Sequence, residues 1–179
     1  MIRRSQRRWT KRLTQKLFLA ATVLILSSPA FADVVVSFDE GAPKDRFTFH
    51  NTGACTLTSA TLELDLSGSA SGLIFDVTST GAGVEVFQPL ELVAGKAALT
   101  MLPTVKDGDN KLVLNIGALG PDERIAFTID VDDTAGGREI IVSGSEIEGA
   151  TVSLTVENTS TRASFSSNAE ASLITPECS

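Results

Sequence analysis

Apolar and polar side chains alternate one for one through most of this chain, and a period of two leaves little room for anything but β-structure. Val34/Val36/Phe38, Phe47/Phe49, Leu62/Leu64/Leu66, Leu73/Phe75/Val77, Leu112/Leu114/Ile116, Ile125/Phe127/Ile129/Val131 and Val152/Leu154/Val156 all keep it. Each run turns one face of a strand inward and leaves residues such as Thr61, Glu63 and Asp65 to water. No window after residue 32 holds a helical period for long, and the 14 glycines fall mostly between the runs, where turns belong. Short strands separated by turns at such regular intervals predict an all-β antiparallel sandwich of about eight to ten strands in two sheets.

The charge changes sign at one point. The first 32 residues hold seven of the 15 Lys and Arg and no acid, whereas residues 33–179 carry the other eight with all 22 acids, a formal charge of −14. The basic leader runs into the apolar stretch Leu17 to Leu26 and then into Ala30-Phe31-Ala32, a small-x-small cleavage signal before Asp33. The apolar run is too short for the roughly 20 residues of a membrane span. Residues 1–32 therefore read as a signal peptide and 33–179 as a single exported β-sandwich domain, periplasmic or extracellular, with no membrane contact after cleavage. The acidic balance disfavours nucleic acid, whose phosphates would repel it.

Cys55 and Cys178 both lie in the exported part, and an oxidising compartment favours their pairing. In the chain-entropy model so long a loop makes the bridge worth up to about 5 kcal/mol. Its expected role is to clamp the carboxyl terminus onto the body. Without a Cys-x-x-Cys spacing, nothing marks either thiol as redox-active.

Two segments carry a fold-level resemblance. Phe47-Thr-Phe-His-Asn-Thr-Gly-Ala-Cys-Thr-Leu-Thr-Ser-Ala-Thr-Leu-Glu-Leu-Asp-Leu66 resembles the strand, Asn-x-Gly turn and strand that open many bacterial immunoglobulin-like modules. Leu112 to Val131 resembles their later hairpin, with Asp122 where glycine is usual. A longer match runs through Phe38-Asp-Glu-Gly-Ala-Pro-Lys-Asp-Arg-Phe47, Gly72-Leu-Ile-Phe-Asp-Val77, Gly83-Val-Glu-Val-Phe-Gln-Pro89, Phe127 to Thr134 and Gly137 to Ala150. On these segments the chain resembles the small exported bacterial proteins called aggregation factor core. The resemblance implies a secreted module of adhesive or matrix character with no assigned catalytic residue.

The residues themselves point away from catalysis. His50, the only histidine, follows Arg46 and Thr48 on the outward side of its strand. There is no Gly-x-Ser-x-Gly elbow, no His-Glu-x-x-His and no phosphate-cradling glycine loop. The acids do cluster, and hard cations such as Ca²⁺ want several carboxylate and carbonyl oxygens close together. Asp130, Asp132 and Asp133 at one strand end are the first candidates for a metal, with Asp107 and Asp109 in the Lys106-Asp-Gly-Asp-Asn110 turn behind them. Asp130 and Asp132 share the outward face of a period-two strand, and the competing reading is a solvated strand end and an ordinary turn. An EF-hand loop is ruled out, because Ala135 stands where the sharp turn needs glycine and Ile141 where the bidentate glutamate would be.

The main functional expectation is a non-catalytic adhesion or matrix module, Ca²⁺-dependent if those acids hold metal, with an extracellular protein, a glycan or a second copy as partner. Carbohydrate binding is the first alternative, although Trp9 leaves with the leader, Tyr is absent and Phe87 is the one aromatic imagined as exposed. Assembly by pairing of strand edges is the second. The Ser- and Thr-rich stretch from Thr159 to Ser167 fits either an edge strand or a loose tail.

Overall fold

A computed structural model describes residues 33–81, 83, 87–135 and 142–175. Each alternating run supplies or flanks a strand: β1 (Val34–Asp39), β2 (Asp45–Asn51), β3 (Leu57–Asp65), β4 (Ile74–Asp76), β5 (Glu91–Ala94), β6 (Lys111–Leu119), β7 (Arg124–Asp132), β8 (Thr151–Val156), β9 (Thr159–Ser164) and β10 (Glu170–Leu173). One turn of 3-10 helix, Lys96–Ala98, follows β5. The Thr159 stretch is thus a strand at its start, paired along its length with β8. The expected signal peptide, residues 1–32, lies outside the described residues.

All pairings are antiparallel, and they build two sheets that face each other as a sandwich. One runs β10-β1-β2-β7, with β4 and β5 taking successive stretches of the far edge of β7; the other runs β6-β3-β8-β9. Inward-facing residues meet in register, Phe47 opposite Phe127 across β2 and β7, and Leu62 between Leu114 and Leu154 across β6, β3 and β8. The Phe47 ring lies 5.0 Å from that of Phe38, 5.3 Å from Phe127 and 6.4 Å from Phe75. Phe47, Phe49, Phe75 and Phe127 are fully buried with Leu62, Leu64, Leu112 and Leu114. Each such side chain contributes roughly 1.5–3 kcal/mol by leaving water, and the ring pairs about 0.5–1.5 kcal/mol more.

Polar side chains fix the ends of the sandwich. Buried Asn51 directs Nδ2 at the carbonyls of Cys55, Leu119 and Gly120 at 2.8, 2.9 and 3.1 Å, and its Oδ1 accepts from Gly53 N. The Asn-x-Gly turn is therefore a clamp between two loops. In the β6–β7 turn Asp122 takes φ 59°, the left-handed conformation usual for glycine. Aspartate tolerates it better than most residues. The Asp122 amide donates to Asn51 O, and its Oδ1 stands 2.6 Å from His50 Nε2.

The carboxyl end returns to the start of β1. Asp33 N donates to Leu173 O, and Asp33 Oδ2 accepts from the amide and hydroxyl of Thr175 at 2.8 and 2.6 Å. Asp33 O in turn accepts from the amides of Thr52 and Gly53. Residue 175 is thereby held next to the loop that carries Cys55. No cysteine among the described residues is free, and Cys178, the expected partner, lies outside them.

Candidate functional site

The most unusual chemistry sits where β4 meets β7. Phe75 and Val131 pair with their side chains in the core, so the residues beside them, Asp76 opposite Asp130 and Ile74 opposite Asp132, all lie on the outer face. An outer face is usually wet, and this one is covered. Asp76 is 0 %, Asp130 6 % and Asp132 3 % exposed. The competing reading of a solvated strand end is therefore corrected: Asp130 and Asp132 share the predicted outer face but are buried there, with Gly83 lying against Asp132 and Asp76. Gln88 N donates to Asp76 O, and Asp130 N to Gln88 O. A Cβ built on Gly83 would collide with Asp76 Oδ2 and Asp132 Oδ2 at once, so both carboxylate oxygens converge on the bare backbone of that glycine.

A second acidic segment reaches the same place from the other side of β4. The turn at 106–109 pairs with it, Gly108 N donating to Phe75 O and Phe75 N to Asp109 O. Asp107 Oδ1 accepts from the amides of Val77 and Thr78 at 2.9 and 3.1 Å, and its carboxyl comes within hydrogen-bonding reach of Asp76. Two carboxyl groups hold such an approach only with a proton or a cation between them. Asp109 instead closes its own turn, Oδ2 accepting from Lys106 N at 2.8 Å. Asp133 is half-buried at the end of β7. Asp45 lies nearby and ties the β1–β2 turn to β7, accepting from Gly41 N at 3.0 Å and Val131 N at 3.1 Å.

Electrostatics follow from this crowding. Burial, the Asp107 carboxyl and the Asp132 charge push Asp76 up to about 7. Burial and the charges of Asp132, Asp45 and Asp76 push Asp130 up to about 7. Burial raises Asp45 to about 7 against its two amide donors. Oδ2 of Asp130 is buried with no hydrogen-bond partner, whereas the buried Asp76 carboxyl meets the Asp107 carboxyl and the Thr78 amide. Native proteins rarely leave such groups orphaned. Among the described residues no group of three or more His, Cys, Asp or Glu side chains is placed to hold a metal ion.

Sequence reasoning singled out Asp130, Asp132 and Asp107, and the fold brings them together; it missed Asp76, their centre. A signal existed in the Leu73/Phe75/Val77 run, which puts Asp76 on the same kind of outward position as Asp130.

The outward face of the β6-β3-β8-β9 sheet is a second candidate. Its ranks run straight across four strands: Asn115, Thr61, Thr155 and Ser160 in one, Val113, Glu63, Ser153 and Arg162 in the next. Arg162 Nε donates to Ser153 Oγ at 3.0 Å, Thr155 Oγ1 to Ser160 Oγ at 3.2 Å, and Lys111 Nζ stands 2.9 Å from Asp65 Oδ2. No aromatic side chain stands in these ranks. Phe87, the aromatic imagined as exposed, is half-buried away from them, before β5. His50 is outward as expected, between Asp122 and Arg124, whose Nη2 lies 3.4 Å from His50 Nδ1.

No protein-family profile and no curated protein match the chain. Among solved structures it is similar to a GH20 exo-β-N-acetylglucosaminidase from Vibrio harveyi, at 17 % identity and TM-score 0.36 over 74 % of this chain and 17 % of that one. It is also similar to carbohydrate-binding module CBM3b of cellobiohydrolase 9A from Clostridium thermocellum, at 14 % identity and TM-score 0.34 over 72 % and 94 % of the two chains. A family GH18 chitinase from Chromobacterium violaceum gives 13 %, 0.35, 76 % and 19 % in the same order. The chain thus spans about a sixth of the Vibrio enzyme's length. Likenesses of this size carry no argument about function, which rests on the geometry above.

Proposed function

We propose that this chain is an exported, non-catalytic adhesion or matrix module, of the character implied by its resemblance to aggregation factor core proteins. It presents the β6-β3-β8-β9 face to an extracellular partner, and its acidic edge works with Ca²⁺. The observation that carries the reading is the order of that face. Hydroxyl, amide and charged groups stand in register on a rigid sheet and are partly held by one another, as in Arg162 with Ser153 and Lys111 with Asp65. Polar groups fixed in this way bind with less loss of side-chain entropy than groups on loops.

A glycan is the partner class that the face favours over a protein. Ranks of Thr, Ser and Asn offer both donors and acceptors to sugar hydroxyls, and few apolar side chains are present to anchor a protein hot spot. With no aromatic platform in the ranks, recognition would run through hydrogen bonds along a chain of sugars. The test is a glycan array and a cell-surface binding assay, each with and without Ca²⁺, comparing the parent chain with a Thr61→Arg/Thr155→Arg variant. Retention by the parent and its loss in the variant, at unchanged melting temperature, is the expected outcome. Binding that survives both arginines removes the face from the proposal; absence of glycan signal with retained cell binding turns the reading to a protein partner.

A further inference from the structure

We infer that β9 is an assembly edge: it pairs antiparallel with β9 of a second copy about a two-fold axis at Thr161, joining two four-stranded sheets into one of eight. The pairing stands on the strand itself, and only its consequence for the polar face rests on the binding reading above.

Every other sheet edge among the described residues is short, irregular or partly covered. β4 and β5 hold three and four residues, with a register shift where β5 meets β7. β10 holds four. β6 is longer, but Leu99 bridges Ile116 and Thr100 N donates to Asn115 O along its outer side. β9 keeps six residues in unbroken register with β8 and pairs with no other strand. From Thr159 to Ser164 it has neither proline nor bulge, and its threonines favour extended backbone. Its one charge, Arg162, lies back across its own sheet with Nε donating to Ser153 Oγ at 3.0 Å, so it does not guard the edge. Proteins ordinarily blunt a strand edge of this kind.

The direction of the free backbone groups limits the register. The two-residue turn at Glu157 and Asn158 makes Val156 and Thr159 a hydrogen-bonded pair, and Phe165 N donates to Ala150 O in the same phase. Ser160, Arg162 and Ser164 therefore aim N–H and C=O away from β8. Two copies can exchange those bonds with Arg162 opposite Ser160, opposite Arg162 or opposite Ser164. Facing Arg162 with Arg162 sets like charges together. Facing it with Ser160 brings Thr161 opposite Thr161 in a non-hydrogen-bonded pair, where side chains approach most closely. Thr161 is the residue in need of a partner, since it pairs with buried Leu154 on the inward face and its Oγ1 is buried without one. Rotation about χ1 lets the two hydroxyls bond each other. The remaining register sets Thr161 against Phe165, which has no side-chain group to offer.

A second copy thus satisfies a group that an unrelated acidic strand, answering Arg162 alone, would leave orphaned. Neither β8 nor β9 carries an acid, so the negative charge of the domain is not concentrated at this edge. In this register the rank that ends at Thr155 and Ser160 runs on into Arg162 and Ser153 of the second copy. The polar face doubles in width, and a long partner is held by both copies at once.

The test is sedimentation equilibrium of the purified chain over a range of concentrations, backed by cross-linking. Few bonds and a small contact make the pairing weak, with a dissociation constant on the order of 100 µM. Apparent mass should climb from one chain toward two as concentration passes that value. Ser160→Arg, on the exposed face, sets guanidinium groups opposite each other twice about the axis and should weaken pairing about tenfold at unchanged melting temperature. Adding Arg162→Glu to it should restore the parent's pairing. Under air oxidation Thr161→Cys should give a dimer that resists denaturant and yields to reductant, because its sulfurs meet on the axis. Thr159→Cys, facing Ala163 of the second copy, should not. A parent that keeps the mass of one chain to about tenfold above the expected constant overturns the inference. So does pairing untouched by Ser160→Arg, or cross-linking equally good at both positions. A blank glycan array with pairing intact strikes the proposed partner and leaves this inference standing; a single-chain parent that still binds glycan does the reverse.

Discussion

Asp76 and Asp130 stand opposite each other in register across β4 and β7, both cut off from solvent. Two carboxylates in that relationship hold protons that the unfolded chain would already have released. With the folded values raised from 3.8 to about 7, the native state binds more protons than the unfolded state between those limits. Stability of the ion-free protein therefore falls as pH rises from about 4 to about 7. Denaturant midpoints measured in EDTA across that range should decline, and Asp76→Asn should flatten the decline while gaining about 1–3 kcal/mol at pH 7 from the loss of a buried charge crowded by other carboxylates. A profile that rises over the same interval would refute the placement of these groups.

The opposite limb belongs to Asp65. Burial works against its ionisation, but the Lys111 ammonium at 2.9 Å and two hydrogen bonds from Ser67 outweigh burial and hold the carboxyl down at about 2. A depressed value means stability that is fully present above about 4 and is lost as pH falls toward 2. Asp65→Asn should leave midpoints near pH 7 within about 1 kcal/mol of the parent, since the pair lies at the surface. The parent should lose stability more steeply than the variant in acid titrations below pH 4. Parallel acid limbs would remove Asp65 from the account.

Asn51 gives the sharpest purely structural expectation. Its amide reaches three carbonyls from two loops and its oxygen holds a fourth group, all with the side chain 1 % exposed. Asn51→Ala would strand those carbonyls in the interior, at a cost of about 2–4 kcal/mol. Asn51→Asp should be at least as damaging, because it replaces the donor with a buried charge that faces carbonyl oxygens. Both effects are measurable by urea denaturation and should be independent of Ca²⁺, which separates them from changes at the acidic edge.

Period-two alternation was legible because burying one sheet face demands it, so Phe47, Leu62, Ile129 and their neighbours could be assigned to the core from their spacing alone. What escaped were features set by a second chain segment. β4 is only three residues long, and its pairing with β7 joins Asp76 to a residue more than fifty positions away. No local pattern announces that, nor that Asp130 and Asp132 are buried on the outer face. β5 and β10, four residues each, were likewise too short for alternation to stand out. The Asp107 and Asp130 clusters were visible as separate acidic runs, and only the pairing of the 106–109 turn with β4 makes them one neighbourhood.

The last prediction concerns the carboxyl terminus. Thr175 is bonded through Asp33 to the loop at Thr52 and Gly53, so the chain is delivered toward the loop of Cys55 with two residues, Pro176 and Glu177, left before Cys178. That span is ample for a bridge whose Cα atoms need to come within about 7 Å. We therefore expect Cys55 and Cys178 to be joined in the folded protein. Thiol titration of the unfolded, unreduced chain should find no free sulfhydryl, and reductant should lower the melting temperature. Cys55→Ser should destabilise by up to about 5 kcal/mol. Part of that loss should appear as fraying of β10, because past Glu170 the strand's hydrogen bonds are those to Asp33 and the β1 ladder. Amide exchange that speeds up in β10 ahead of β2 and β7 would establish that order, whereas two titratable thiols in the parent chain would dispose of the bridge.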